Sequence, residues 1–333
     1  GKKSWLKAQA ECVVLKFSQL FFPMLLREVG LICILYQSFV LTVRGRQEFD
    51  FGVAQKYASV SSVTYCDDLE VVENWTCDNC QQSGIKLVPG KVKIVDAGLL
   101  QSARVVVGKV RNEQSCMLAF RGTDNWENWL RNLEFWRELP SKYEHCDRCT
   151  VHIGFLTIWE NMKARVLEAL EHVGCPSNSS YNLHVTGHSL GGALGQLAMF
   201  TVDALKYKVI SSYFLEPPRV GNQAFKDAFQ ARFKDVPVFR TTHFKDPVVH
   251  LPPMWIGFVH AVEEVYFGET GREYKLCVNE TSSCADQFSS VWDLLENKQD
   301  HCTIPLVPNG NICYPSGCLN KDSKEKRATL VLV

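Results

Sequence analysis

Charge of one sign is not in excess in this sequence. Its 333 residues carry 36 Lys plus Arg against 36 Asp plus Glu. A balanced chain offers no broad field for nucleic acid or an anionic membrane, so neither is expected as a partner. Internal repeats and long low-complexity tracts are missing too, which excludes a repeat architecture. A membrane-spanning helix needs roughly 18 consecutive, mostly apolar residues. The run Val29 to Val43 falls short of that, so no stable membrane span is expected. No linker interrupts residues 46–320. Hydrophobic residues make up 46% of the chain, enough for a sizeable core in one large or two small domains.

The chain begins at Gly1, and the first methionine is Met24. From there Arg27 lies in a short charged beginning, and Val29 to Val43 carry no charge. Val43 and Gly45 are small enough to precede a cut. The pattern predicts a secretory signal peptide over 24–45, with 1–23 an upstream segment foreign to the natural product. Cysteine usage agrees. Of 14 cysteines, Cys12 and Cys33 leave with the leader, and an even number remains for disulfides in an oxidising compartment. Asn74, Asn178 and Asn279 each open a glycosylation sequon. An extracellular glycoprotein is expected.

Along the rest of the chain, strand and helix patterns alternate. "KVKIVDAG", "ARVVVGKV", "SCMLAF" and "YNLHVTG" read as strands, and "SSYFLEPPRVGN" and "VPVFRTTHFKDPVVHLPP" begin as strands and break at proline. "FGVAQKYASVSSVTYC", "GFLTIWENMKARVLEALEHV", "LGGALGQLAMFTVDALKY" and "GNQAFKDAFQARF" read as helices. Such alternation implies an α/β fold with a central, mostly parallel sheet flanked by helices. The charged tail, 321–333, is expected to be loose.

At the junction of one strand and one helix stands Gly187-His188-Ser189-Leu190-Gly191, a G-x-S-x-G pentapeptide. Glycines permit a sharp turn that lifts the serine hydroxyl above the sheet. The following helix points its N-terminus at that hydroxyl. A serine needs a base, and the base needs an orienting acid. In chain order the acid follows the serine and precedes the histidine. Asp246, after a strand and before Pro247, suits the acid; its alternative is a turn Asp bonded to its own backbone. Two histidines could serve as base. His260 lies in "GFVHAVEEVYF", which reads as strand; His301 follows "SSVWDLLENKQD" on a loop, and that freedom favours it. The oxyanion needs two donors. The backbone N–H of Leu190 is one, and the loop at Thr123, after "SCMLAF", offers the other.

The pieces "CMLAFRGT", "VHIGFLTIW", "VTGHSLGGALGQLA", "EPPRVGN", "RTTHFKDPVVHLPP" and "GFVHAVEEVYF" occur in the order in which the class 3, fungal-type triacylglycerol lipases carry them. Over roughly residues 50–320 the sequence resembles that family. The resemblance implies an α/β-hydrolase fold with Ser189, Asp246 and His301 as the catalytic triad and Thr123 at the oxyanion. After its histidine the family has a Tyr-Phe pair, where this chain reads "CTIPL". The resemblance also implies disulfides Cys77–Cys80, Cys146–Cys149, Cys277–Cys284 and Cys66–Cys318. Cys302 with Cys313 is an additional expected pair, and Cys116 and Cys175 stay unassigned. Zinc is the alternative use of two C-x-x-C pairs, disfavoured by the oxidising context; no metal or cofactor is expected.

In "DNWENWLRNLEFW", Trp126, Trp129, Leu130 and Leu133 share one helical face. By resemblance this segment, about 124–136, is a short helical lid over the serine. Burying one Trp removes ~200 Å² from water, about 5 kcal/mol at ~25 cal/mol per Å² as an upper bound. A lid that turns such a face outward is costly in water, and a lipid surface offsets the cost. The expected function is hydrolysis of acylglycerol esters at a lipid–water interface by a secreted monomer through an acyl-enzyme. Feruloyl esterase and phospholipase A1 are alternatives on the same scaffold, and an inactive secreted binding protein is the non-enzymatic one.

Overall fold

Two periodicities govern the chain after Phe49. In the strand β2 (Arg104–Val110), Val105 and Val107 join one core cluster and Val106 joins another; all three are buried. The strand β3 (Ser115–Arg121) repeats the pattern, with Cys116, Leu118 and Phe120 on one face and Met117 and Ala119 on the other. Period-two alternation with both faces apolar requires layers of helix above and below. We describe here a computed structural model, in which residues 48–98, 103–123, 140–277, 280, 283–288, 297–315 and 318 are described. The segments expected as leader, lid and tail (1–23, 24–45, 124–136, 321–333) lie outside those residues.

The main sheet has eight strands in the order β1-β2-β3-β6-β7-β8-β9-β10. The remaining strands of this sheet are β1 (Leu87–Asp96), β6 (Asn182–His188), β7 (Lys208–Leu215), β8 (Val238–His243), β9 (Glu263–Phe267) and β10 (Tyr274–Cys277). The five neighbours from β3 to β9 run parallel, while β1, β2 and β10 pair antiparallel at the two edges. A small second sheet joins β4 (Pro140–Lys142) to β5 (Thr150–His152). The sheet and its flanking helices form an α/β-hydrolase fold.

One face is covered by α4 (Ile153–Val173), α5 (Leu190–Ala204) and α6 (Gln223–Arg232). Helix α4 buries Phe155, Ile158, Trp159, Met162, Val166, Ala169, Leu170 and Val173, a single stripe at three- and four-residue spacing, and Gly174 ends it in the left-handed region. Helix α5 is buried on all sides from Leu190 to Val202, as befits a helix enclosed by the molecule. The other face is covered by α1 (Phe51–Val63), whose N-cap Asp50 accepts from the Val53 amide, and by residues 302–313. Two short helices, α2 (Leu69–Glu73) and α3 (Asp78–Gln82), follow α1. Among the described residues no helix is long and apolar enough to cross a membrane.

Disulfides join Cys77 to Cys80, Cys116 to Cys175, Cys146 to Cys149, Cys277 to Cys284 and Cys302 to Cys313. Cys116–Cys175, unassigned from sequence, ties the start of β3 to the turn after α4. The expected Cys66–Cys318 bond is absent, and both thiols are buried and free. Three donors converge instead on the Cys318 carbonyl: Cys66 Sγ at 3.0 Å and the amides of Asp67 and Asp68 at 3.2 and 3.4 Å. The first helix is therefore tied to the Cys318 backbone, and the Cys66 sulfur faces an oxygen.

Candidate active site

Parallel strands bring their C-terminal ends to one edge, and the chemistry-bearing residues follow those ends. Ser189 comes directly after β6, Glu216 directly after β7, Asp246 shortly after β8, and Gly122-Thr123 directly after β3. Ser189 caps α5 with φ 58° and ψ −134°, a conformation non-glycine residues rarely adopt. Its amide donates to the Leu215 carbonyl at 2.9 Å, which anchors the strained turn to β7. Glycine at 191 is obligatory, because a Cβ there would collide with the Phe120 backbone of β3. At Gly122 a Cβ would lie 2.8 Å from Ser189 Cβ and 2.9 Å from the Tyr65 hydroxyl, so the loop after β3 sits flush against the serine.

The structure brings together three of the residues singled out from sequence. Ser189 Oγ lies 2.8 Å from His301 Nε2. On the far side of the ring, Nδ1 lies 3.0 Å from each carboxylate oxygen of Asp246. His301 closes a 3₁₀ turn, Lys298–His301, and is followed at once by the Cys302–Cys313 disulfide. Asp246 Oδ1 also accepts from the Val248 amide at 2.8 Å, so this residue both braces its own turn and faces the ring. All three side chains are buried, with Ser189 only 1% exposed.

His260 is placed elsewhere, and not inside a strand as its sequence pattern suggests. Val259 makes an isolated bridge to Gly221, and β9 starts only at Glu263. The His260 Nε2–H donates to the Val249 carbonyl at 2.8 Å, and its amide donates to Glu280 at 3.2 Å. Thr123 is buried beside Gly122. The lid residues Trp126, Trp129, Leu130 and Leu133, and the sequon residue Asn279, lie outside the described residues; Asn74 and Asn178 are exposed.

Three residues of the site escaped the sequence reading. Tyr65 donates its hydroxyl hydrogen to His188 Nδ1 at 2.6 Å and accepts from the Gly122 amide at 3.2 Å. The opposite ring nitrogen, Nε2–H, donates to the His301 carbonyl at 2.8 Å. One chain of hydrogen bonds thus joins the Gly122 loop, the serine turn and the loop of His301. Burial pushes the His188 imidazole well below its ordinary pKa, and the neighbouring His301 adds to that, so His188 is a neutral relay with one donor and one acceptor. Its position inside the pentapeptide was the available signal. The third residue, Glu216, is wholly buried between His188 and His301. Burial raises its carboxyl well above the ordinary range, and Asp246 and Asp300 raise it further.

The "PRVGN" segment has a bracing role. Buried Arg219 donates to Glu280 at 2.6 Å, to Asp286 at 3.1 Å and to the Pro252 carbonyl at 3.2 Å, holding the loop that follows Asp246. Asn222 caps α6 by accepting from the Phe225 amide. His188, Glu216 and His301 converge closely enough to suggest metal ligands. Their inward nitrogens are already directed at the His301 carbonyl and at Asp246. At Glu264, Cys277 and Cys284 the two sulfurs are bonded to each other, and the carboxylate holds Arg240 at 2.9 Å.

The family model described as Lipase (class 3) matches residues 117–255, a span that holds Ser189 and Asp246. The chain is 30% identical over 250 residues to the lipase of Rhizopus niveus, covering 72% of this chain and 61% of that protein. Along this span the chain is similar to the class 3 lipases. A second relative, the secreted mono- and diacylglycerol lipase A of Penicillium camembertii, is 29% identical over 221 residues, which is 66% of this chain and 69% of that one. Among solved structures, the Rhizomucor miehei triacylglyceride lipase superposes with a TM-score of 0.62 at 27% identity, covering 78% of this chain and 94% of that one. The chain spans about three fifths of the length of the Rhizopus relative.

Proposed function

We propose that this protein is a secreted carboxylic ester hydrolase that acts, as a monomer, on acylglycerol esters at a lipid–water interface. The observation that carries the reading is the unbroken line from Ser189 Oγ through the His301 ring to Asp246, at 2.8 and 3.0 Å. His301 takes the serine proton as Oγ attacks the ester carbonyl. Asp246, accepting from Nδ1–H, keeps Nε2 free to receive that proton and stabilises the charged ring. The Leu190 amide and Thr123 hold the oxyanion. His301 then protonates the leaving alcohol, and the same ring activates the water that releases the fatty acid. These steps use no metal and no cofactor.

Burial of Ser189 supports a lid. A bulky ester cannot reach a hydroxyl that is 1% exposed unless a covering segment moves. The Trp126, Trp129, Leu130 and Leu133 face is the segment assigned to that movement. Exposure of Asn74 and Asn178, five disulfides, and a relative named as secreted support an extracellular location.

Replacing Ser189 by Ala is expected to lower the turnover of emulsified tributyrin by on the order of 10⁴-fold or more and to abolish labelling by a fluorophosphonate probe. Near-normal turnover by that variant would falsify the assignment. An activity that rises steeply above the tributyrin solubility limit, beside weak action on methyl ferulate, separates the lipase from a phenolic esterase. Absence of labelling in the native protein marks an inactive binding protein.

A further inference from the structure

Glu216 presents a physical problem that the triad alone does not solve. Its side chain is 0% exposed, and neither carboxylate oxygen makes a hydrogen bond among the described residues. Its backbone sits at φ 51°, a left-handed conformation that costs a non-glycine residue of order 1 kcal/mol or more. Its amide is satisfied by the Thr241 carbonyl at 2.9 Å, and that bond needs no particular side chain. A buried, unpaired carboxyl is costly, and here it contributes no hydrogen bond to the fold. What it does have is position. Oε2 lies 3.7 Å from His301 Nδ1 and 3.6 Å from His188 Nε2, just outside hydrogen-bond range of both rings. Asp246 approaches the same Nδ1 at 3.0 Å. Two carboxyls, from the ends of the adjacent strands β7 and β8, are therefore aimed at one nitrogen.

We propose that Glu216 is a second positioning acid of His301, sharing with Asp246 the orientation of the ring and able to take over that task when Asp246 is lost. This inference rests on the hydrolase reading above. In the intact site two adjacent carboxylates cannot both be ionised cheaply, and the buried Glu216 is the one that stays protonated. The groups facing it are Asp246 and Asp300, whose charges both favour its neutral form, and the rings of His188 and His301. Removing Asp246 removes one of the charges that holds the proton on Glu216. The charge lost at Nδ1 is then replaced from a neighbour that needs only a sub-ångström approach to reach hydrogen-bond distance.

The test is a double-mutant cycle on p-nitrophenyl butyrate, with Asp246→Ala, Glu216→Gln and the two combined, each checked for folding by thermal melting. Loss of Glu216 is expected to lower kcat/KM by less than about 10-fold beside intact Asp246, and by on the order of 10²-fold in the Asp246→Ala background. Residual activity of Asp246→Ala should rise toward alkaline pH, and the double variant should lack that rise. Equal factors in both backgrounds, with superimposable pH profiles, overturn the proposal. Should Asp246→Ala fail to fold, Asp246→Asn carries the same cycle. Ser189→Ala run in parallel separates the two readings. Full activity there overturns the hydrolase itself, whereas an inert Ser189→Ala with no coupling in the cycle overturns only the role of Glu216.

Discussion

At the scale of single residues, the site divides into groups whose chemistry is written in a local motif and groups whose role exists only in three dimensions. Ser189 was legible because glycine spacing, a strand before and a helix after all constrain one turn. Asp246 and His301 were legible through chain order and loop position, and the structure sets His260 apart by its Val249 and Glu280 contacts while His301 meets Ser189. Tyr65 was not legible, since nothing in the turn after α1 marks a residue whose partner is 123 positions away. Its importance is nonetheless measurable. Tyr65→Phe deletes the donor to His188 Nδ1 and the acceptor for the Gly122 amide at constant shape. Each buried group left unpaired costs about 1–3 kcal/mol. The variant should unfold at lower denaturant by a corresponding amount and lose about 10-fold in kcat/KM, because the Gly122 loop and the His188 relay share that hydroxyl. Denaturant titration together with steady-state kinetics checks both halves.

At the scale of elements, alternation and helical periodicity placed the strands and helices well, because both faces of the sheet are buried and each element carries its own apolar pattern. Two things were lost. The segment "GFVHAVEEVYF" is apolar enough to read as one strand, yet ladder pairing with β8 begins only at Glu263. The Cys116–Cys175 bond was missed because it joins a core strand to a helix terminus 59 positions further on, and neither cysteine belongs to a short spacing motif. Closing a loop of that length stabilises by about 4 kcal/mol in the chain-entropy account, against far less for the three-residue Cys77–Cys80 link. Cys116→Ala combined with Cys175→Ala should therefore lower unfolding free energy by about 2–4 kcal/mol. Chemical denaturation of the two double-alanine variants, side by side, gives the comparison.

At the scale of the whole molecule, buried titratable groups set the response to pH. His188 and His260 are both held well below the ordinary imidazole value of 6.5, burial being the largest cause in each. The unfolded chain binds protons at these positions below about pH 6.5 while the folded protein does not, so stability falls as pH drops, by up to about 1.4 kcal/mol per pH unit for each ring. Glu216 acts in the opposite sense. Its folded carboxyl stays protonated where the unfolded one has ionised, so its contribution is full below the ordinary glutamate range and is lost as pH rises. Two rings outweigh one carboxyl, and the melting temperature is expected to fall between pH 7 and pH 5. Glu216→Gln removes the opposing term, so its fall over the same interval should be steeper; scanning calorimetry at the two pH values reads the difference.

The hydrogen-bonded line from Gly122 through Tyr65 and His188 to the His301 backbone also sets a condition for engineering. Loops around an ester-binding cleft are attractive parts to transplant between relatives. Here three of them take their height from one phenol at the end of the first helix. A transplanted loop keeps its catalytic register only if it arrives with a donor or acceptor at the same point, so chimeras should be cut to include residue 65 together with the loops it levels.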